Sequence, residues 1–336
     1  MKLEEFDFYL PKELIAKYPV EPRDSCRLMV LDRKIEKIEH RVFRDIVEYL
    51  SEGDLIVFNN SKVIPARLIG VKEGGSAKIE VFLIRQVEGN IWYALIKNVR
   101  RLKKGQNIII SSDFSVEFLD REDEKAIVKL HSQNVYQDLE KYGHIPLPPY
   151  IERPVEEKDK ELYQTVFAKE EGSVASPTAG LHFTEDLIEK LKKKGVNIAF
   201  ITLHVGLGTF KPIQTDNITE HKMHEEFYTI PEETIEFIRK TKESGKSIVA
   251  AGTTVVRTLE SFAKTGIREG FTDIFIYPPY NFKIVDKLIT NFHLPKSTLI
   301  LLVSAFASKD FILKAYTEAV KEKYRFFSYG DAMLIL

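Results

Sequence analysis

Hydrophobic and polar positions follow two different rhythms along this chain. From about residue 160 onward, short apolar runs typical of buried strands alternate with segments in which apolar residues recur every three or four positions. Residues 253–264 show the helical rhythm, because Val255, Leu259 and Phe262 fall on one face. Near the start of the chain, Leu55–Asn59 is a short apolar run that suits a buried strand, and residues 43–50 have helical spacing. Further strands are predicted at residues 271–277 and 284–290. This alternation predicts an open α/β sheet covered by helices.

The middle of the chain has a different pattern, in which short strand-like runs are separated by turn residues. These runs are residues 66–72, 77–86, 91–97, 107–111, 116–120 and 126–131. Their length and spacing predict a small barrel or sandwich. We therefore expect an open α/β sheet domain formed by both ends of the chain, residues 1–64 and 151–336, with a small β-barrel domain inserted at residues 65–150.

Composition excludes several classes of protein. The chain has 336 residues, of which 44% are hydrophobic, so it can bury a sizeable core. Its single cysteine, Cys26, excludes an internal disulfide and a multi-cysteine zinc or iron–sulfur site. The most apolar run, residues 298–307, has about half of the roughly 20 residues that a membrane helix needs, and the first residues lack a signal-peptide pattern. We therefore expect a cytoplasmic protein without a membrane partner.

The charge distribution leaves a nucleic-acid partner open. The formal net charge is −1, but binding to nucleic acid depends on a local patch more than on the total. Basic residues cluster at one predicted hairpin turn, at Lys97, Arg100, Arg101, Lys103 and Lys104. Taken alone, this cluster has two interpretations, a phosphate-binding patch and a solvated turn, and the second is the more common one.

Several histidines lie in loops rich in small and polar residues. His182 precedes a predicted helix, and His204 lies at the end of a predicted strand, where open α/β sheets usually bind ligands. The pair Gly206 and Gly208 suggests a dinucleotide loop, but Lys211 stands where that motif needs a third glycine. A tight capped turn around His182 and a core position for His204 remain alternative interpretations.

One predicted turn from strand to helix has the features of an anion site. Gly252 is followed by a helix start at Thr253, where free backbone N–H groups attract carboxylates or phosphates. Arg257 lies one turn further on and could pair with a carboxylate. The alternative is simple capping by Thr253, with Arg257 bridging to Glu260.

The remaining histidines do not form a recognised metal motif. His221 and His224 have carboxylates nearby but match no zincin spacing, so we expect no metal site. Asn291 and His293 occupy a second strand-to-helix turn. The reaction class stays open at this point, because the chain has neither a Gly-x-Ser-x-Gly elbow nor a Walker loop.

Long segments of the chain resemble one enzyme family over nearly the whole length. Two of them read SPTAGLHFT at residues 176–184 and LHVGLGTF at residues 203–210. Further matches are residues 18–28, 63–68, 143–150, 221–226, 257–261, 290–298 and 324–333. So many matches in order are far more specific than a single glycine motif. By them the chain resembles the S-adenosylmethionine:tRNA ribosyltransferase-isomerases of the queuosine pathway.

The resemblance implies an unusual reaction. The ribosyl part of S-adenosylmethionine would be moved to 7-aminomethyl-7-deazaguanine at the tRNA wobble position. There it would be isomerised to an epoxycyclopentane-diol, which gives epoxyqueuosine and releases adenine and methionine. S-adenosylmethionine is then a consumed substrate, and no cofactor is implied. The implied partners are S-adenosylmethionine and the anticodon loop of a tRNA. The implied fold, an α/β domain with a β-barrel insertion, agrees with the pattern, and the absence of heptads fits a monomer.

The matching loops supply candidate residues for this reaction. A base must remove a proton beside the sulfonium and an acid must protonate the departing adenine, and histidine suits both tasks. The candidates are His182, His204 and His293, with His204 or His182 preferred as the base.

Further candidates concern substrate binding. Those for S-adenosylmethionine are Thr178, Gly180, Gly206, Gly208, Thr253, Thr254, Arg257, Tyr280 and Asn291. Within this set, Arg257 and the turn at residues 252–254 could hold the methionine carboxylate. Aromatic rings could face the sulfonium, and the candidates are Phe183, Phe210 and Tyr280. The candidates for tRNA binding are Arg100, Arg101, Lys103 and Lys104.

Two positions depart from the family pattern. Val255 stands where a small residue is typical, and Pro279 stands where the family usually has glycine. Neither change removes a titratable group, so both bear on local geometry and not on activity. Two rival functions remain: a tRNA methyltransferase, which would produce S-adenosylhomocysteine, and a non-catalytic tRNA-binding protein that uses the β domain.

Overall fold

The computed structural model describes residues 1–97, 99, 102–206 and 213–336. The amino-terminal part forms β1 (Arg27–Asp32), β2 (Lys37–Val42), β3 (Leu55–Asn59) and β4 (Ser61–Val63). The middle forms β5 (Arg67–Lys72), β6 (Lys78–Glu88), β7 (Ile91–Ile96), β8 (Gln106–Ile109), β9 (Ser115–Glu122) and β10 (Lys125–His131). The rest alternates between helices and strands: α1 (Val135–Tyr142), α2 (Asp159–Leu162), β11 (Glu170–Ser173), α3 (Glu185–Lys193), β12 (Asn197–Leu203), β13 (Glu226–Thr229), α4 (Glu232–Glu243), β14 (Ile248–Ala251), α5 (Thr253–Thr265), β15 (Glu269–Thr272), β16 (Lys287–Asn291), α6 (Thr298–Ala307), α7 (Lys309–Lys321) and β17 (Ala332–Ile335).

One large sheet joins the two ends of the chain. In the described residues it has nine strands in the order β15-β13-β12-β3-β14-β16-β17-β1-β2. The inner strands β12, β3, β14 and β16 run parallel, and β1 lies parallel to β17. All residues of β3 and β14 are buried, as expected for strands covered on both faces. The predicted α/β sheet built from both ends of the chain is confirmed.

The middle strands close into a barrel. Its order is β10-β7-β6-β5-β8-β9, with antiparallel neighbours throughout. In β7 every second residue is buried, and Trp92, Ala94 and Ile96 point into a barrel core of their own. The predicted barrel is confirmed and its strands fall inside residues 65–150. The exact domain limits stay a prediction.

The structure corrects three element boundaries. The predicted helix at 43–50 is a 3-10 helix, Phe43–Tyr49. The strand expected at 271–277 is β15, which begins earlier and ends at Thr272. The strand expected from residue 284 begins at Lys287, because the buried Glu260 carboxylate accepts the backbone N–H groups of residues 283–285. Among the described residues, no helix is both long and apolar enough to cross a membrane.

Candidate functional site

A cleft opens where β12, β14 and β16 end, at the carboxyl edge of the parallel strands. Its volume, counted out to the open mouth, is about 630 Å³. Ligands of open α/β sheets usually bind at this edge. The cleft is lined by Tyr150, Ala175, Ser176, Pro177, Thr178, Ala179, Val205, Gly252, Thr253, Thr254, Thr290, Asn291, Phe292, His293, Leu299, Phe327 and Ser328.

The amino terminus of α5 forms one wall of the cleft. Gly252 joins β14 to this helix with φ of +110°, a backbone conformation that favours glycine. The first helical hydrogen bond is donated by the N–H of Val256 to the Gly252 carbonyl, so the N–H groups before it have no partner within the helix. Thr253 and Thr254 both line the cleft beside these donors. This end of the helix favours an anionic group.

A hydrogen-bond chain under the cleft connects it to the lone cysteine. The Asn291 side chain accepts from Thr178 Oγ1 at 3.2 Å and donates Nδ2 to His182 Nε2 at 3.0 Å. On the other side of the ring, His182 Nδ1 lies 3.2 Å from Cys26 Sγ. Since Nε2 accepts, the network assigns the ring proton to Nδ1. Burial lowers the pKa of His182 to about 3, so the ring is neutral near pH 7.

His293 is the predicted histidine whose side chain lines the cleft. Its Nε2 is 2.9 Å from Thr290 Oγ1, and its backbone N–H donates to the Tyr316 hydroxyl at 3.0 Å. Burial lowers the pKa of His293 to about 3, which keeps the imidazole neutral. No described residue forms a hydrogen bond with Nδ1. This nitrogen is therefore available to a bound molecule.

His204 lies outside this cleft. Its backbone N–H donates to the Phe227 carbonyl, and its ring lines a second cavity with Asn60, Glu170 and Phe227. The next residue, Val205, points the other way and lines the cleft, because successive side chains of an extended segment alternate. His204 Nδ1 is buried and has no hydrogen-bond partner among the described residues, and burial lowers the pKa of this histidine. The structure thus separates His204 from His293.

Arg257 is also outside the cleft. Its guanidinium pairs with Glu226, and both side chains are buried. Nε donates to the Ile274 carbonyl at 3.3 Å, and Glu226 also accepts the N–H of Gly206 at 2.9 Å. The alternative prediction, that Arg257 bridges to Glu260, is wrong, because the Glu260 carboxylate accepts backbone N–H groups of residues 283–285.

The other predicted residues divide into two sets. Thr178, Thr253, Thr254 and Asn291 line the cleft, as expected for substrate contacts. Tyr280 packs against Phe282 at 4.8 Å, away from the cleft, and burial raises its pKa to about 12.

Three further candidates, Gly180, Gly206 and Phe183, do not line the cleft. At Gly180 an added Cβ would lie 2.8 Å from Phe167 Cζ, so this glycine serves close packing. Gly206 follows Val205 and donates its N–H to Glu226, and Phe183 belongs to the hydrophobic core. Gly208 and Phe210 fall outside the described residues.

The sequence-based selection missed an aromatic wall of the cleft. The Tyr150 ring packs on Phe327 with centroids 4.0 Å apart, and the Tyr150 hydroxyl bonds to Ser328. All three residues line the cleft, and all lie in segments that carry the family resemblance. The aromatic cluster at residues 325–332 was the available signal, but nothing in the pattern pairs it with Tyr150.

The predicted tRNA patch is only partly described. Lys103 and Lys104 are exposed, and Lys104 Nζ pairs with Asp120 at 2.6 Å. Arg100 and Arg101 fall outside the described residues. Within the described ranges, His, Cys, Asp and Glu side chains form no group of three or more that could hold a metal ion.

Comparisons with known proteins agree on one family. The sequence profile of a family described as "Queuosine biosynthesis protein" matches residues 3–335. The S-adenosylmethionine:tRNA ribosyltransferase-isomerase of a Sulfurihydrogenibium species is 74% identical over 336 residues, which is the full length of both chains. The protein of the same name from Thermotoga maritima is 58% identical over 340 residues, again over the full length of both.

A solved structure supports the same assignment. The crystal structure of an S-adenosylmethionine tRNA ribosyltransferase from Thermotoga maritima matches with a TM-score of 0.58 and 48% identity. It covers 99% of this chain and 100% of its own. The resemblance read from the loops and the expectation of an enzyme are confirmed, and the chain belongs to the queuosine biosynthesis protein family.

Proposed function

We propose that this protein transfers the ribosyl moiety of S-adenosylmethionine to 7-aminomethyl-7-deazaguanine at the tRNA wobble position and isomerises it to form epoxyqueuosine. Adenine leaves as its glycosidic bond breaks, and methionine leaves as the bond from sulfur to the ribosyl carbon breaks. The observation that carries the proposal is the cleft itself. It brings the α5 amino terminus, Thr178, Asn291 and His293 together in a chain of this family.

The methionine end of the substrate fits the α5 wall. Its carboxylate would accept from the N–H groups of the first helical turn beside Thr253 and Thr254. Arg257 does not take part, because Glu226 already neutralises its guanidinium at a buried position. Its role is to hold Gly206 and β13 against α5 through that carboxylate.

Proton transfer is assigned to His293 among the three candidate histidines. Its ring lines the cleft and no described residue engages its Nδ1, so it is placed to take a proton from the carbon beside the sulfonium. His182 has both ring nitrogens engaged, with Asn291 and Cys26, and acts as a positioning residue for Asn291. His204 faces the other cavity.

The tRNA must present its wobble base to this cleft. A base reaches an enclosed pocket when it leaves the stack, and a single-stranded anticodon loop makes that inexpensive. The cluster at Arg100, Arg101, Lys103 and Lys104 would contact phosphates of the same tRNA. A tRNA substrate also agrees with the expected cytoplasmic location.

A product assay tests the proposal. Purified protein is incubated with S-adenosylmethionine and tRNA that carries the aminomethyl-deazaguanine, and the small molecules are followed by mass spectrometry. We expect adenine and methionine to appear in step with the modified nucleoside. S-adenosylhomocysteine would instead indicate a methyltransferase. Intact S-adenosylmethionine together with tRNA binding would indicate a binding protein.

A further inference from the structure

A row of aromatic and cationic side chains runs from the large sheet to the barrel. It begins at the end of β12, crosses β13 and β15, and continues on β6, β7 and β10. We call it the aromatic–cation row, and it consists of His204, Phe227, Phe271, Arg85, Tyr93 and Lys125.

Each member of the row contacts the next. The His204 and Phe227 rings lie nearly parallel, with centroids 6.3 Å apart, and Phe227 meets Phe271 edge to face at 5.4 Å. The Arg85 guanidinium lies 4.8 Å from the Phe271 ring and 5.2 Å from the Tyr93 ring. Lys125 Nζ also lies 5.2 Å from the Tyr93 ring. The row therefore spans the sheet and the barrel without a gap.

Part of the row is open to solvent. Phe271 lies on β15, an edge strand of the sheet, and is 48% exposed. Its pairing partner Phe227 and the Arg85 side chain are only half-buried. Among the described residues, Arg85 forms no ion pair, and its guanidinium contacts two aromatic rings. The neighbouring Glu122 carboxylate is held by the Tyr93 hydroxyl at 2.8 Å.

We propose that the aromatic–cation row binds unpaired nucleotides of the anticodon loop other than the wobble base, by stacking on Phe271, Phe227 and the Arg85 plane. Aromatic rings and arginine planes are the groups on which splayed RNA bases stack, and free cations attract the phosphates between them. The row begins one residue from the cleft wall, since His204 precedes Val205, but the His204 ring faces the second cavity, so the row would bind nucleotides that reach past the cleft. This inference rests on the proposed function, because that function supplies the RNA.

The aromatic–cation row should bind single-stranded RNA in preference to duplex RNA. A duplex hides the faces of its bases, whereas an anticodon loop offers them. Binding through the row should therefore distinguish an anticodon stem-loop from a duplex of equal length. The patch at Lys103 and Lys104 would contribute charge to both kinds of RNA and would not discriminate between them.

The test compares variants by titration of fluorescent RNA. Phe271→Leu keeps an apolar side chain on β15 and removes the ring. We expect it to raise the Kd for an anticodon stem-loop about 5-fold or more, the loss typical of one stacked base, and to leave the Kd for the duplex unchanged. Phe271→Trp should restore binding. Arg85→Gln, on the surface of the barrel, should weaken stem-loop binding independently and serves if Phe271→Leu does not fold.

Ile35→Ala is the matched control. Ile35 is 68% exposed and lies in the turn between β1 and β2, at the opposite edge of the sheet, so its truncation should not change either Kd. Equal Kd values for wild type, Phe271→Leu and Arg85→Gln would overturn the proposal. So would equal binding of stem-loop and duplex by the wild type, or a dimer in solution that Phe271→Leu dissociates, since a second copy would then cover the row.

These outcomes are separate from failure of the proposed reaction. The reaction fails if the wild type releases no adenine from S-adenosylmethionine with modified tRNA. The row is judged by binding ratios alone, without turnover. If the protein discriminates stem-loop from duplex through Phe271 but releases no adenine, the RNA-binding proposal stands and the proposed reaction is contradicted.

Discussion

His293 lines the cleft and has a ring nitrogen that no described residue engages, and these two properties together define its expected role. We expect His293→Gln to lower kcat about 100-fold or more, the loss typical of a general acid or base, while KM for S-adenosylmethionine changes little. His144→Gln is the matched control, because His144 is exposed and does not line the cleft. Adenine release under saturating S-adenosylmethionine measures both. Equal losses in the two variants would contradict the assignment of the proton carrier to His293.

Cys26 shows how a buried residue can support the cleft without touching it. Burial raises the pKa of the Cys26 thiol, so the folded protein should not react with thiol reagents. Cys26→Ala would leave the His182 Nδ1 proton without its partner. We expect this change to lower the free energy of unfolding by about 1–3 kcal/mol in urea titrations. Cys26→Ser keeps a hydrogen-bonding atom and should lose less, whereas equal losses would indicate that Cys26 acts only through packing.

Single residues also show where sequence reasoning stops. The loops selected from the pattern were the right ones, since Thr178, Thr254 and His293 do line the cleft. Side-chain direction was not predictable. Arg257 turns away to Glu226, 31 positions earlier in the chain, and no local pattern announces that partner.

At the scale of elements, α5 and β13 are joined by the buried pair of Arg257 and Glu226. Arg257→Ala would leave a buried carboxylate with the Gly206 N–H as a remaining donor, so we expect a loss of about 3–5 kcal/mol in the free energy of unfolding. KM for S-adenosylmethionine should change little, because the guanidinium lies outside the cleft. Urea unfolding and initial rates measure the two effects.

Arg239→Ala is the control for that prediction. Arg239 pairs with Glu243 at 2.8 Å on the exposed face of α4, where an ion pair contributes less than about 1 kcal/mol. A large rise in KM for S-adenosylmethionine with unchanged stability in Arg257→Ala would favour the role expected from sequence, in which this arginine holds the methionine carboxylate.

Element types were predictable because their periods are strong, and element ends were less so. The buried run of β3 and the amphipathic face of α5 appear where the pattern places them. The start of β16 does not, because Glu260 on α5 captures the N–H groups of residues 283–285 before the sheet begins. Such a side-chain competitor from another element leaves no trace in the local pattern.

For the molecule as a whole, the return of the chain to its own start explains the architecture. Strand β17 lies parallel to β1, so the sheet is complete only when both ends are present, and the barrel is built from the intervening residues. The insertion was predictable from sequence, because the alternation of strand and helix patterns is interrupted by the β-rich middle segment and then resumes. The order of the strands did not follow from the pattern, since parallel pairing leaves no short turn to fix neighbours.

Two buried histidines should make the whole molecule sensitive to acid. His182 and His293 each have a folded-state pKa of about 3, against about 6.5 in the unfolded chain. Between these values the unfolded state binds more protons, so the free energy of unfolding falls as the pH falls below about 6.5. From pH 7 to pH 5 the loss should be about 2 kcal/mol for each histidine.

Urea unfolding at pH 7 and pH 5 measures this loss. The variant with both His182→Gln and His293→Gln cannot take up these protons, so its stability should fall by about 4 kcal/mol less than that of the wild type over the same interval. His144 is exposed, and His144→Gln controls for the substitution itself. If the wild type and the double variant lose stability in parallel, the two rings take up protons equally in the folded and unfolded states, which would contradict the lowering of their pKa values by burial.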